Sequence, residues 1–214
     1  MRYVPIAAAV GLALIAGAAV AGTISAPISG PGVSGSFTLS YGPGTDGKYS
    51  DAFVINAASG TFTDTNHSLD ILNVPITGVA PLNVVSPRPG NVEAPANFSK
   101  LQPVSNDTEG DITYDNLFWP GGSPLTSDTY SLYGGLFDIY GVLFTLQNGD
   151  FLDLWSAGGN LGYGVAVAAP VTGGYTALDY IATGVSVPEP LSLWILATGM
   201  LGMLGLVAWH RRTQ

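Results

Sequence analysis

The chain contains no cysteine. Disulfide scaffolds, thiol catalysis and cysteine-ligated zinc are therefore excluded. Histidine is almost absent too, with His67 and His210 the only two. A zinc centre with several histidine ligands cannot be built from one His in the body of the chain. A Ser-His-Asp triad would have to use His67, in the turn-like stretch Asp64-Thr65-Asn66-His67-Ser68, and no G-x-S-x-G elbow accompanies it. Basic residues are scarce: 6 Lys+Arg stand against 15 Asp+Glu, a formal net charge of -9. Nucleic-acid binding needs clustered Lys and Arg, so the composition argues against that class. Charge of either sign is low at 10%, while 47% of the residues are apolar, which excludes a disordered, solvating chain. Sustained helical periodicity is missing everywhere between the two ends of the chain.

What is present is glycine (29), proline (15) and short β-rich runs. The runs are Val33–Tyr41, Ala52–Asn56, Gly60–Thr65, Leu69–Leu72, Ile76–Val79, Ile112–Phe118, Gly135–Gln147, Phe151–Trp155, Leu161–Ala168 and Tyr175–Ala182. In Ser34 to Tyr41, Phe37, Leu39 and Tyr41 alternate with small polar residues, the pattern of a half-buried strand. Asn148-Gly149 between Val142–Gln147 and Asp150–Trp155 is a strong hairpin signal. A two-residue turn there would set Leu146 opposite Phe151 and Val142 opposite Trp155. Both faces of this hairpin are largely apolar, so it should be central and covered on both sides. Pro81 to Glu109 reads as one long surface loop. Ten short strands at this spacing predict an all-β fold, a single β-sandwich or jelly-roll-like domain.

The ends read differently. Arg2 precedes the apolar run Ile6–Gly22, and Ala19-Val20-Ala21 fits a small-x-small cleavage pattern. Residues 1–21 are thus expected to form a signal-peptide helix, cut between Ala21 and Gly22. Leu191–Trp209 holds 19 uncharged residues, roughly 28 Å of helix, about the thickness of a bilayer core. Trp194 and Trp209 lie near its ends, and His210-Arg211-Arg212 follow. Arg211 and Arg212 should act as a stop that remains cytoplasmic, which leaves the body on the far side of the inner membrane. The body, 22–186, carries fourteen of the acidic residues and only Lys48, Arg88 and Lys100 of the basic ones.

Just before the apolar span stands Val187-Pro188-Glu189-Pro190. Each proline pushes its predecessor into an extended conformation, so the four residues should form a tether that a protease cleft can grip. V-P-E-P, an uncharged span and a basic terminus, in that order and over 187–212, resemble the PEP-CTERM sorting signal. The resemblance implies a Gram-negative host and recognition of the motif by an exosortase, a membrane-embedded protease or transpeptidase. It further implies removal of the span during transfer to the envelope or matrix, often alongside exopolysaccharide production. A plain anchor with a proline-rich stalk is the simpler alternative.

Chemistry in the body is sparse. Asp150 and Asp153 differ in strand parity and make a poor glycosidase pair, and Asp51, Asp64, Asp115 and Asp138 are scattered. Asn106-Asp107-Thr108-Glu109-Gly110-Asp111 gathers oxygen ligands but fails the EF-hand pattern, so a solvated acidic loop is expected and no cofactor or metal is assigned. Asn66-His67-Ser68, Asn97-Phe98-Ser99 and Asn106-Asp107-Thr108 match the N-glycosylation pattern, which a bacterial reading leaves silent. Thr61, Thr63 and Thr65 share one strand face, where a Thr array could bind ice or sugar hydroxyls, though one strand is not an array. Trp119 with Tyr114 and Phe118 could stack on sugar rings, against a core role for the Trp.

The expected function is that of an exported, non-enzymatic envelope or extracellular-matrix protein, anchored by its C-terminal helix and processed by an exosortase. The alternatives are a carbohydrate- or ice-binding β module and a carboxylate-based envelope enzyme. Facing buried carboxylates in a cleft would favour the enzyme, and an aromatic strip or a regular Thr face would favour the binder.

Overall fold

The computed structural model describes residues 21–45, 49, 51–66, 71–82, 98–101, 112–120, 122–123, 135–158, 161–172 and 174–187. The signal-peptide run up to residue 20, Pro188 to Pro190, the span Leu191–Trp209, Arg211 and Arg212 lie outside them. So do His67, the acidic loop Asn106–Asp111 and most of the Pro81–Glu109 loop.

Among the described residues there are eleven strands, all paired antiparallel. Strands β1 (Gly22–Gly30), β2 (Val33–Thr45), β3 (Phe53–Asp64) and β4 (Ile71–Val79) run as a meander. The short β5 (Ser99–Leu101), β6 (Ile112–Tyr114) and β7 (Leu117–Phe118) follow. The meander then resumes with β8 (Val142–Leu146), β9 (Phe151–Ser156), β10 (Tyr163–Val171) and β11 (Gly174–Val185). The main sheet has the order β1-β2-β3-β4-β8-β9-β10-β11, with β7 added on β3, while β5 and β6 form a separate pair. Sequential neighbours of this kind make a meander; among the described residues the crossed order of a jelly roll is not seen. The expected all-β class is observed, and no helix among the described residues is long and apolar enough to cross a membrane.

The sheet rolls until its two ends meet. Ser29 N–H donates to Ser186 O (3.1 Å) and Ser186 N–H to Ser29 O (2.7 Å). Inward residues from every long strand then share one interior, among them Ile28, Phe37, Phe62, Ile76, Phe144, Leu154, Val167 and Val185. Each such side chain contributes roughly 1.5–3 kcal/mol by leaving water. Phe37 packs on Phe144 (5.7 Å between ring centres) and on Phe137 (6.0 Å). Room for Phe37 and Phe62 comes from the glycines opposite them: Phe37 faces Gly60, and Phe62 faces Gly35. Gly60 has φ +147°, and a Cβ there would run into the Ser36 carbonyl oxygen.

Several sequence runs are joined or cut in the structure. Ala52–Asn56 and Gly60–Thr65 become one strand, β3, whose register shifts where Ser40 and Tyr41 pair with Ala57 and Ile55. Leu69–Leu72 and Ile76–Val79 merge as β4 across Asn73, at φ +56°. Ile112–Phe118 splits into β6 and β7 at Asn116, at φ +54°. Of Gly135–Gln147, only Val142–Leu146 is strand.

The central hairpin exists, with a corrected register. Val142 faces Leu154, Phe144 faces Leu152, and Leu146 N–H donates to Asp150 O (2.9 Å). The loop therefore has three residues, Gln147-Asn148-Gly149, with Gly149 at φ +94°. A three-residue loop with glycine in a left-handed conformation displaces the register by one from the two-residue case. A slip of one sends each partner residue to the opposite face. Leu152 and Leu154 thus join the interior, while Phe151, Asp153 and Trp155 take the outer face. Both faces of β8 are covered, as expected: Leu143 packs outside with Tyr114, Leu101, Ala168 and Phe151 under the β5–β6 pair.

Candidate functional site

Four features could carry function: buried carboxylates, aromatic residues, a hydroxyl surface, and the point where the chain leaves the domain. Two of the carboxylates, Asp115 and Asp138, lie in the linkers that cover β8 and β9, and a third, Asp153, lies on β9 itself. Asp115, Asp138 and Asp153 are buried, at 0%, 0% and 3% exposure. Asp115 Oδ1 accepts the Leu117 N–H (3.0 Å), while Asp138 Oδ1 accepts those of Tyr140 (2.8 Å) and Gly141 (3.1 Å). Asp64 repeats the pattern, accepting the Asn66 N–H at 2.8 Å. Each carboxylate thereby closes a turn two residues on, the Asx geometry.

Between these turns sits Asn116, whose left-handed backbone is well suited to Asn. Its Oδ1 accepts the Leu143 N–H (3.0 Å), its Nδ2 donates to Ala80 O (2.8 Å), and its carbonyl accepts the Ile55 N–H (2.9 Å). One side chain and its own carbonyl therefore tie β3, the end of β4 and β8 together.

The side chains of Asp115 and Asp138 are in hydrogen-bonding contact. Two carboxyls can bond to each other only through a shared proton. Burial raises Asp138 to about 6 against bonds from Tyr140, Gly141 and Asp115 that lower it. Burial also holds Asp153 well above its ordinary range, with the Asp138 charge adding to it. Tyr114, beside Ser99 and Asp153, is raised by burial. The sequence placed these aspartates apart, and the fold gathers three of them. Glycoside chemistry needs two carboxyls about 5–9 Å apart across an open cleft. Here Asp115 and Asp138 touch, are sealed from solvent and spend oxygens on backbone amides. Among the described residues no group of three or more acidic or histidine side chains is arranged to hold a metal ion.

The aromatic trio named from sequence is not a platform. Tyr114, Phe118 and Trp119 are all buried. Trp119 packs on Tyr49 (5.8 Å), Phe118 on Tyr41 (5.1 Å), and the Tyr114 hydroxyl donates to Pro81 O (2.9 Å). An outward aromatic pair occurs elsewhere: Trp155 and Tyr180, 5.5 Å apart and inclined by 26°. The Trp155 indole lies over Gly164, where a Cβ would strike it, and Tyr180 is 44% exposed. The corrected hairpin register produces this pair by turning Trp155 outward.

The hydroxyl surface spans three strands. Outward residues fall in rows: Thr23-Ser40-Ala57, Ser25-Thr38-Ser59, Pro27-Ser36-Thr61 and Ser29-Ser34-Thr63. Ser25 and Thr38 hydroxyls meet at 2.7 Å. The only charged residue in β1 to β4 is Asp64, which is buried. Sequence reasoning found Thr61 and Thr63 but not the neighbouring strands that complete the rows. Thr65 stands past the end of β3, where its hydroxyl donates to Gly32 O (3.0 Å). Asn66, the first residue of one glycosylation match, donates through Nδ2 to Pro31 O (3.1 Å) and Asp179 Oδ2 (3.0 Å).

At the ends of the domain, Gly22 is the first residue of β1, and the preceding Ala21 is exposed. At the other end Val187 is buried in the main core, one residue after the Ser29–Ser186 bridge. A shallow cavity of about 330 Å³ lies there, lined by Leu161, Tyr163, Gly184, Val185 and Val187 among others. Comparisons with family models, curated proteins and solved structures returned no match to this chain.

Proposed function

We propose that this chain is an exported, non-enzymatic envelope or matrix protein, delivered by a signal peptide and held by a C-terminal membrane helix. An exosortase-like membrane protease then processes it at Val187-Pro188-Glu189-Pro190. The body stands outside the inner membrane and Arg211-Arg212 stay in the cytoplasm. One observation carries this reading: the folded body fits the interval between the two processing signals. Strand β1 starts at Gly22, directly after Ala19-Val20-Ala21, and the Ser29–Ser186 bridge closes the sheet directly before Val187-Pro188. The body is sandwich-like in this reading, two halves of one rolled sheet sharing a core.

The test is a size comparison of membrane and released fractions in a host carrying an exosortase. Wild-type chain should appear shortened. Replacing Pro188 and Glu189 with Ala should leave export intact and let the full-length form accumulate in the membrane. Unchanged processing in that variant would leave the plain anchor.

A second reading, binding of a neutral polysaccharide, is favoured by the uncharged hydroxyl rows on β1–β3. Neighbouring strands rotate by about 20–25°, so a rigid ice lattice loses registry across three strands, whereas a flexible glycan can follow the curve. Co-sedimentation with insoluble neutral polysaccharide tests it. Replacing Ser36 and Thr61 with Glu should abolish retention, and retention that is unchanged would remove the reading.

A further inference from the structure

Val187 belongs both to the hydrophobic core and to the V-P-E-P motif, and those roles conflict. It is 5% exposed and packed in the main cluster. The residue before it, Ser186, has its N–H and its C=O both bonded to Ser29. A protease cleft that grips an extended segment binds through that segment's own backbone groups. At Ser186, two residues upstream of Pro188, those groups are already taken.

The seam that takes them is short for a covalent reason. In an antiparallel ladder, residues that exchange both hydrogen bonds recur every second position. From Ser29–Ser186 the next such positions are Pro31 with Gly184 on one side and Pro27 with Pro188 on the other. Proline has no amide hydrogen, so Pro27, Pro31 and Pro188 cannot donate to a longer ladder. The register of β1 with β2, by contrast, runs without a break over nine residue pairs. The closing strand also has a pivot and space. Gly184 has φ +89° with nothing within 4 Å of the place a Cβ would occupy, and the shallow cavity borders Gly184 to Val187.

We infer that the fold holds Val187, the first residue of the proposed sorting motif, and that the two-bond seam between Ser29 and Ser186 must open, withdrawing Val187 from the core, before a membrane protease can process the chain. This rests on the sorting reading above and adds its regulation: processing is gated by local opening of the barrel. Two bonds fenced by prolines make a latch that yields without unfolding the remaining ladders.

The absence of other cysteines allows a clean lock. A bonded antiparallel pair has its Cα atoms about 5.5 Å apart, within disulfide range. In the full chain carrying Ser29→Cys and Ser186→Cys, oxidation should cut the processing rate at least tenfold, and reduction should restore it. Ser186→Pro, which deletes one of the two donors, should raise the rate severalfold. A locked chain processed as fast as wild type would overturn the gate. A wild-type chain that stays full length in an exosortase host would instead sink the sorting reading, and the gate with it, so the two failures look different on one gel.

Discussion

Strands β1–β3 and strands β8–β10 belong to one sheet but are covered differently. The first three alternate cleanly, with Phe37, Leu39 and Phe62 inside and a hydroxyl or other small side chain outside. The other three are buried on both faces, because the β5–β6 pair and the linkers around Asn116 lie over them. A single-faced strand needs only a hydrophobic period of two. A strand covered twice also needs its cover fastened, and here buried Asp and Asn side chains do the fastening. Polar groups placed there are costly unless bonded. The doubly covered half should therefore be far more sensitive to polar substitution than the hydroxyl-faced half.

The largest effect is expected at Asn116. Replacing it with Ala would strand the Leu143 N–H and the Ala80 carbonyl and leave a less tolerant residue at φ +54°. A loss of about 3–5 kcal/mol is expected, read from urea midpoints.

The next effect is one of pH. Asp138 is raised from 3.8 when unfolded to about 6 when folded, so the folded state holds its proton longer. Its contribution is fully present below 3.8 and is lost as pH rises through about 6. Asp138→Asn keeps the acceptor for Tyr140 and Gly141 but removes the titration. The variant should show a flatter stability profile between pH 4 and 7 than wild type (roughly the window set by those two values); identical slopes would rule out this source.

Gly60→Ala comes third and tests the hydroxyl-faced half where it is tightest, at the close approach to the Ser36 carbonyl. A cost of about 2–3 kcal/mol is expected from the positive φ and the contact, measured as a lowered melting temperature. The smallest effect belongs to Thr38→Ala, which removes only an outward bond to Ser25. It should stay within about 0.5 kcal/mol. A larger loss would show that the outer hydroxyl rows hold the sheet together.

The same contrast explains what could be read from the chain. The alternation around Phe37 and Leu39 was legible because one face is wet. The two-sided apolar character of Val142–Leu146 was legible as burial. Its register was not, since Asn148-Gly149 suits both a two-residue and a three-residue loop, and that single residue decides whether Asp153 and Trp155 point out. β1 was missed because Gly22–Gly30 has no large aromatic residue and holds Pro27, a residue tolerated on an edge strand when its missing N–H faces away from the ladder. Asp115, Asp138 and Asp153 could not be grouped from spacing, because their meeting depends on how two linkers fold over β8 and β9. The outer rows of Ser and Thr escaped notice for a similar reason: only the β1–β2–β3 register brings them side by side.

The prolines that flank Ser29 also set an order in time. A chain made from its N-terminus presents β1 early, while Ser186 is among the last residues of the body to arrive. Until then the outer edge of β1 stays exposed beside a paired β2, the situation in which a strand recruits the wrong partner. Pro27 and Pro31 leave that edge with a single donor at Ser29 between them. The waiting strand is a poor template for other chains, and the bond it keeps in reserve is the one its own last strand completes.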